Sequence, residues 1–396
     1  MVERWRLLAA AAALFLLVPV YILLLVPAPR PPAVGGGAGR EPRHVCFVAV
    51  PKAMVKANGL RQSTAMRSWL RAFPTASVYA YGNETGIDEL LVDLAAEFPR
   101  HGRIESRKTA AARNAYGTPL LSSVFADLFD YVVTAEGGDV DRLLFVYINA
   151  DIILLHDFAR AVAAAELHFD DFFMVGQRYD TVVDGLDLRL PEAELAFQID
   201  SRDGEWRGGH YKDYFAFTLP AFGTHAVPPF AIGRGVWDDY LTVRGIESGM
   251  PVVDATAVAR VVHANHDYKH IGGSAGDPTI ERPWRGTEEE ENKAHMTPRF
   301  IWGNVQDATF RLVPCAPTGQ PSGQQVSAAT AICPVINRAS AAAQLTFVHL
   351  WPHLSLHGIV LLATAGYALF TIARGVLAAR AKAAGLPRYS SHKLID

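Results

Sequence analysis

The sequence predicts an α/β fold in which a mostly parallel sheet is flanked by helices, with apolar segments outside it near both ends of the chain. Three observations lead there. Short, continuous apolar runs of strand length recur through the first half of the chain, and segments of helical periodicity alternate with them. Near each terminus lies an uncharged stretch of membrane-spanning length. The chain has 396 residues, 50% of them hydrophobic and 19% charged, which is enough apolar matter for one large or two ordinary domains. Its formal net charge of -3 supplies no basic field, and no Lys/Arg stripe is interleaved with aromatics. Nucleic acid is therefore not an expected partner.

In chain order, residues 1–6 form a short tail carrying Arg4 and Arg6, and residues 7–26 follow without a charge. Such a stretch crosses roughly 30 Å of hydrocarbon as a helix, so it is read as a transmembrane anchor. The competing reading is a cleaved signal peptide. Against it stand the length of the apolar region and Pro29, which follows the small-residue pattern Val26-Pro27-Ala28. Pro19 within the span is tolerated in lipid. Residues 27–43, rich in proline and containing Gly35-Gly36-Gly37, cannot pack and are read as a stem.

From His44 the pattern changes. Residues 45–50 form an apolar run suited to a parallel strand buried on both faces. Residues 62–73 read as a helix, 76–81 as a strand, 87–97 as a helix, and 119–134 as a third helix. Residues 142–148 carry the strongest strand signal in the chain, and the alternation implies βαβ units. Residues 44–313 are assigned to this domain and 314–353 to a low-complexity linker. Within the linker, Cys315 and Cys333 flank a Pro/Gly/Ser/Gln-rich stretch that they either close as a disulfide, worth roughly 3 kcal/mol, or leave as two thiols. Cys46 reads as a small core residue, and no Cys/His spacing resembles a zinc site. Residues 354–373 are uncharged and read as a second transmembrane helix, with a buried or surface-lying helix as the alternative. The basic stretch 374–396 favours the span and places both termini in the cytosol.

The candidate chemistry begins where the strand 142–148 stops. Ligands of open α/β sheets gather at the carboxyl ends of strands, and Asn149-Ala150-Asp151 lies at such an end. A carboxylate there suits Mn²⁺ or Mg²⁺, hard ions that bind through carboxylates, waters and phosphate oxygens. The bland alternative is a helix cap or turn residue. In His263-Ala264-Asn265-His266-Asp267-Tyr268, two imidazoles offer a further ligand or donors to a diphosphate, with a polar loop and one core histidine as the alternative. In Gly233-Arg234-Gly235-Val236-Trp237-Asp238-Asp239-Tyr240, Trp237 offers an apolar face to a sugar ring and Asp238 a base for a hydroxyl proton. The alternative is a helix start whose acids favour the dipole. Asp213 precedes the aromatic run 214–217 and either binds a sugar or caps a strand. Glu288 to Glu291 are read as a solvated helix start, with Thr287 and Glu290 as a capping box.

Taken together, Tyr116-Gly117-Thr118-Pro119-Leu120-Leu121, Tyr147 through Leu154, Met174 through Arg178, Asp213-Tyr214-Phe215, Pro228 through Arg234 with Trp237-Asp238, Pro251 through Thr256, and His263 through Tyr268 resemble a family of nucleotide-diphospho-sugar transferase-like proteins. The resemblance covers about residues 44–313. It implies the Rossmann-like GT-A glycosyltransferase fold, a nucleotide-sugar donor, and a glycan, protein or lipid acceptor at a Golgi or ER membrane with the domain lumenal. It puts Asp151 at the metal-carrying acid of a DxD motif, Asp238 near the base and His266 at a metal-binding histidine; the residue reading adds Asp213 as a second catalytic candidate and Asn149, Trp237 and His263, with Asp151, about the donor. Asn149 departs from the pattern by replacing the first acid. The other function class left open is a catalytically silent carbohydrate- or nucleotide-binding protein. The sequon Asn83-Glu84-Thr85 falls where a nucleoside is expected, so a glycan there and a base nearby would compete.

Overall fold

Apolar side chains alternate in the central strands, and that alternation builds three layers. The computed structural model describes residues 41–219, 227–265, 287–296, 303–315 and 331–337. Strand β1 (His44–Ala49) sends Val45, Phe47 and Ala49 to one face and Cys46 and Val48 to the other. Strand β4 (Leu143–Ile148) does the same with Leu144, Val146 and Ile148 against Phe145 and Tyr147. Both faces must therefore be covered. Helices α1 (Lys56–Ala72), α2 (Ile87–Glu97) and α4 (His156–His168) cover the first face, and α3 (Leu121–Asp127) and α6 (Trp237–Glu247) cover the second. A π turn (Leu128–Val132) carries α3 on into a last α-helical turn (Val133–Ala135).

Among the described residues the main sheet has nine strands. Beside β1 and β4 stand β2 (Ser77–Tyr81), β3 (Ile104–Arg107), β6 (Phe173–Val175), β9 (Tyr214–Phe217), β10 (Val252–Asp254), β12 (Phe310–Cys315) and β13 (Ala331–Ile336). Their order is β13-β12-β10-β6-β9-β4-β1-β2-β3. Strands β1 to β4 pair in parallel, as do β6, β10 and β12. Strand β9 runs antiparallel between β4 and β6 and joins the two parallel blocks. The expected mixed α/β fold with a mostly parallel sheet is thus present. A smaller sheet, β5-β11-β7-β8, is formed by β5 (Ile152–Ile153), β7 (Arg178–Thr181), β8 (Gly204–Trp206) and β11 (Val261–Ala264). Two further helices are α5 (Glu192–Asp200) and α7 (Glu288–Met296).

The sheet extends beyond 313. Cys315 and Cys333 form a disulfide with Cα atoms 5.9 Å apart, and β12 and β13 pair antiparallel beside it. Part of the stretch expected to be linker is therefore an edge strand. Among the described residues no helix is long and apolar enough to cross a membrane. The two expected spans, 7–26 and 354–373, the stem and both tails lie outside the described residues.

Trp69 shows how the layers hold the turn after β4. Its indole stacks on Phe47 at 5.2 Å, and its Nε1 donates to the Ile152 carbonyl at 2.7 Å, one residue past Asp151. The expected cost of Trp69→Ala is roughly 3–5 kcal/mol, because a fully buried ring leaves a cavity. Trp69→Phe keeps the stacking but strands the carbonyl, for about 1–3 kcal/mol. Denaturant unfolding of the two variants checks both the magnitudes and their order.

Candidate functional site

Three chain segments meet at the carboxyl end of β4. The antiparallel register sets Ile148 opposite Tyr214, so the residues just outside, Asn149 and Asp213, face one another. The Asn149 backbone N–H donates to the Asp213 carbonyl at 2.9 Å, and its Nδ2 donates to Asp213 Oδ1 at 2.5 Å. The other carboxylate oxygen of Asp213 takes Arg178 Nη1 at 2.6 Å. This explains the departure at Asn149. A carboxylate at that position would sit against Asp213, whereas an amide supplies the donor Asp213 needs.

Arg178 is 8% exposed and Asp180 1%, and they share one face of β7 two residues apart. Arg178 Nε lies 2.8 Å from Asp180 Oδ1, and Arg207 Nε donates to Asp180 Oδ2 at 2.7 Å. In the parallel register His263 stands opposite Asp180. Its Nδ1 is 3.2 Å from Asp180 Oδ1 and its Nε2 3.7 Å from Asp151 Oδ2. Burial opposes a charge on His263, but the neighbouring Asp151 and Asp180 carboxylates outweigh it and push the pKa up to about 9. Asp180 is lowered to about 2, burial being overcome by His263 and the two arginines. A chain of alternating charges, Asp213, Arg178, Asp180, His263, Asp151, thus runs from one sheet to the other.

Lys52 lies within electrostatic reach of Asp151 and, separately, of Arg234. Lys52 follows β1 and is exposed; its pKa is lowered, first by loss of solvation and also by Arg234, with Asp151 opposing. Arg234 lies in a loop with positive φ at Gly233, Gly235 and Val236, the last at 56°. That turn delivers α6, and α7 pins it: Asn292 Nδ2 donates to the Ala231 and Gly235 carbonyls, both at 3.0 Å. Glu288 Oε2 takes Arg234 Nε at 2.7 Å, and its other oxygen takes Asn114 Nδ2 at 2.6 Å. Glu288 is 2% exposed, which corrects its expected role as part of a solvated helix start.

Asp238 and Asp239 begin α6 beside Lys212, whose side chain is fully buried. Lys212 Nζ is 2.5 Å from Asp239 Oδ1 and 3.9 Å from Asp238 Oδ2. Burial pushes the Asp238 carboxyl upward, Lys212 opposes it, and Asp239 and Asp213 add to the rise. Asp239 is lowered: burial alone would raise it, and His210 and Lys212 outweigh that. Asp238 is therefore the carboxylate of this pair that can accept a proton near neutral pH.

Trp237 corrects a second expectation. It is 5% exposed and packs edge-on against Tyr147 at 5.6 Å and Phe215 at 5.9 Å. With Val236 left-handed the indole turns into the core, so it supports the loop and offers no open face to a sugar. His266 lies outside the described residues.

A divalent ion is compatible with Asp151 on donor chemistry. Mg²⁺ and Mn²⁺ sites use one or two carboxylates and complete themselves with waters and substrate phosphates. The described residues provide the partly exposed Asp151, with His263 behind it, while Asn149 is committed to Asp213. Arg178, Asp180, Lys212 and Lys52 were not assigned to the site from sequence. The alternation Arg178-x-Asp180 on one strand face was the signal for the first two.

No protein-family model matches the chain, and no curated protein matches it. Among solved structures, the chain is similar to the mannosyltransferase PcManGT from Pyrobaculum calidifontis in complex with GDP-Man and Mn²⁺. The identity is 14% over 91% of this chain and 90% of that one, with a TM-score of 0.35. So loose a likeness leaves fold and chemistry to this chain's own residues.

Asn149→Asp is expected to destabilise the fold by about 1–3 kcal/mol at neutral pH, by setting two carboxylates against each other. One of the pair is then raised above its unfolded value. The penalty is full at neutral pH and shrinks as pH falls through that raised pKa. Denaturant unfolding at neutral and mildly acid pH measures it, and an equal loss at both pH values would contradict the account.

Proposed function

We propose that this chain is a glycosyltransferase of the GT-A type, moving a sugar from a nucleotide-diphosphate donor to a glycan, protein or lipid acceptor. The observation that carries the reading is the meeting of a carboxylate and a cation at one strand end. Asp151 stands where the parallel strands deliver a ligand, with Lys52 in electrostatic reach of it and Arg234 in reach of Lys52. A bound Mn²⁺ or Mg²⁺ would neutralise part of the negative charge that collects on a departing diphosphate. Asp151, with His266 as the further candidate ligand, would hold that ion.

The chain's own residues do the rest. Lys52 and Arg234 hold phosphate oxygens, which favours the charge-developing state over the ground state. Asp238, raised by burial, takes the proton of the acceptor hydroxyl. Asp213, fixed by Arg178, orients Asn149 at the strand end. The site belongs to a domain held on the lumenal side of a Golgi or ER membrane by residues 7–26 and 354–373. The charge distribution around those segments and the Cys315–Cys333 disulfide support that placement.

Thermal shift of the purified chain with a panel of UDP- and GDP-sugars and Mn²⁺ is expected to find a stabilising donor, and radiolabel transfer then reads activity. Asp151→Ala is expected to abolish both donor stabilisation and transfer. Asp238→Asn should keep donor binding and lower transfer by roughly 10²–10⁴-fold. Wild-type transfer should fall on the acid side at a pH above the ordinary carboxylate range, since the base must be deprotonated. Transfer retained in Asp151→Ala would sink the assignment. Donor binding without product over a broad acceptor panel would favour a silent binding protein instead.

A further inference from the structure

At the opposite, amino-terminal end of β1, a second set of ligating side chains converges. His44 opens the strand, and Cys46, two residues on, shares its face. Glu136 comes from the residue just after the last turn of α3. One donor atom from each, an imidazole nitrogen, a thiol sulfur and a carboxylate oxygen, all lie within 4.8 Å of one another. Neighbouring groups hold two of the three in place. His44 Nε2 is 3.3 Å from Glu136 Oε2 and 2.9 Å from Ser77 Oγ, and the Tyr79 hydroxyl donates to Glu136. The cup is buried on two sides and open on one: Cys46 is 0% exposed, while the side chains of Glu136 and His44 are 10% and 30% exposed.

We propose that His44, Cys46 and Glu136 bind a structural Zn²⁺ that ties the carboxyl end of α3 to the first strand, distinct from the hard-ion site at Asp151. The donor set decides the metal. Thiolate with imidazole selects zinc among common divalent ions, whereas Mg²⁺ and Mn²⁺ prefer oxygen alone. Given zinc's bond lengths, tetrahedral donors sit roughly 3.3–3.7 Å apart. The His44–Glu136 separation of 3.3 Å already fits, and the wider separations, none above 4.8 Å, need to close by at most about an ångström. Water or the Tyr79 hydroxyl completes the fourth position. Binding replaces the Cys46 thiol proton, which leaves to solvent, so affinity rises with pH. Burial and the Glu136 charge raise that thiol's pKa, so the metal must offset its ionisation. The ligands escape a search for zinc spacing because two lie on one strand and the third comes from about ninety residues downstream, near the close of the crossover helix.

Cobalt substitution tests this without reference to activity. Cys315 and Cys333 are joined, so Cys46 is the only thiol able to give a thiolate-to-cobalt charge-transfer band. The full-length chain, stripped with a chelator and titrated with Co²⁺, is expected to show that near-ultraviolet band and intense tetrahedral visible bands at one equivalent. Zn²⁺ should bleach both. Cys46→Ser should remove the charge-transfer band, and His44→Gln and Glu136→Gln should weaken Zn²⁺ at least about tenfold. Asp151→Ala should leave the cobalt spectrum unchanged. A folded wild type that gives no charge-transfer band, or a band that survives Cys46→Ser, overturns the proposal.

Discussion

The site depends on one line of alternating charge, from Asp213 through Arg178, Asp180 and His263 to Asp151. Each member would be costly to bury alone, since a buried ion without its partner loses more solvation than its surroundings return. In sequence they lift one another's penalties, and each fixes its neighbour's position. Asp180, 1% exposed, is the pivot, because it takes both arginines and His263. The line crosses from the main sheet to the small one, so the short turn that carries Asp151 is held by strand register on either side. A site so built is stiff by construction.

The same logic separates two acids that look alike in sequence. Asp238 and Asp239 are adjacent, yet Lys212 and His210 favour ionisation of Asp239, while burial leaves Asp238 the more basic of the two. Division of labour between neighbouring carboxylates follows from which of them gets the cation.

What the sequence revealed was the main sheet's first half, because its strands are apolar runs that nothing else explains. Helix 87–97 matches α2 residue for residue. Helix α1 begins at Lys56, earlier than periodicity suggests, because Asn58 and Gly59 are poor helix formers. Gly59 is required there: a Cβ would stand 2.8 Å from the Met54 backbone. The small sheet was illegible. Its strands are two to four residues long and carry Arg178, Asp180, Glu205 and His263, so no apolar pattern marks them. Trp237 misled for the opposite reason. Among glycines an indole reads as an open face for a sugar ring, and only the left-handed turn at Val236 shows that it points inward. Glu288 looked solvated in a run of four acids, yet the helix phase turns this one toward Arg234 and Asn114.

Strand β9 carries a consequence for synthesis. It alone connects the block β4-β1-β2-β3 to the block β6-β10-β12-β13, and it lies about seventy residues after β4 in the chain. Until residues 214–217 emerge, the fully apolar β4 has a bare edge, open to pairing with any passing strand. A chain made vectorially would therefore carry its stickiest edge uncovered for the time that stretch takes to appear. Asp213 and Asn149 meet only when the edge is sealed, so assembly of the site and protection of the nascent chain are one event.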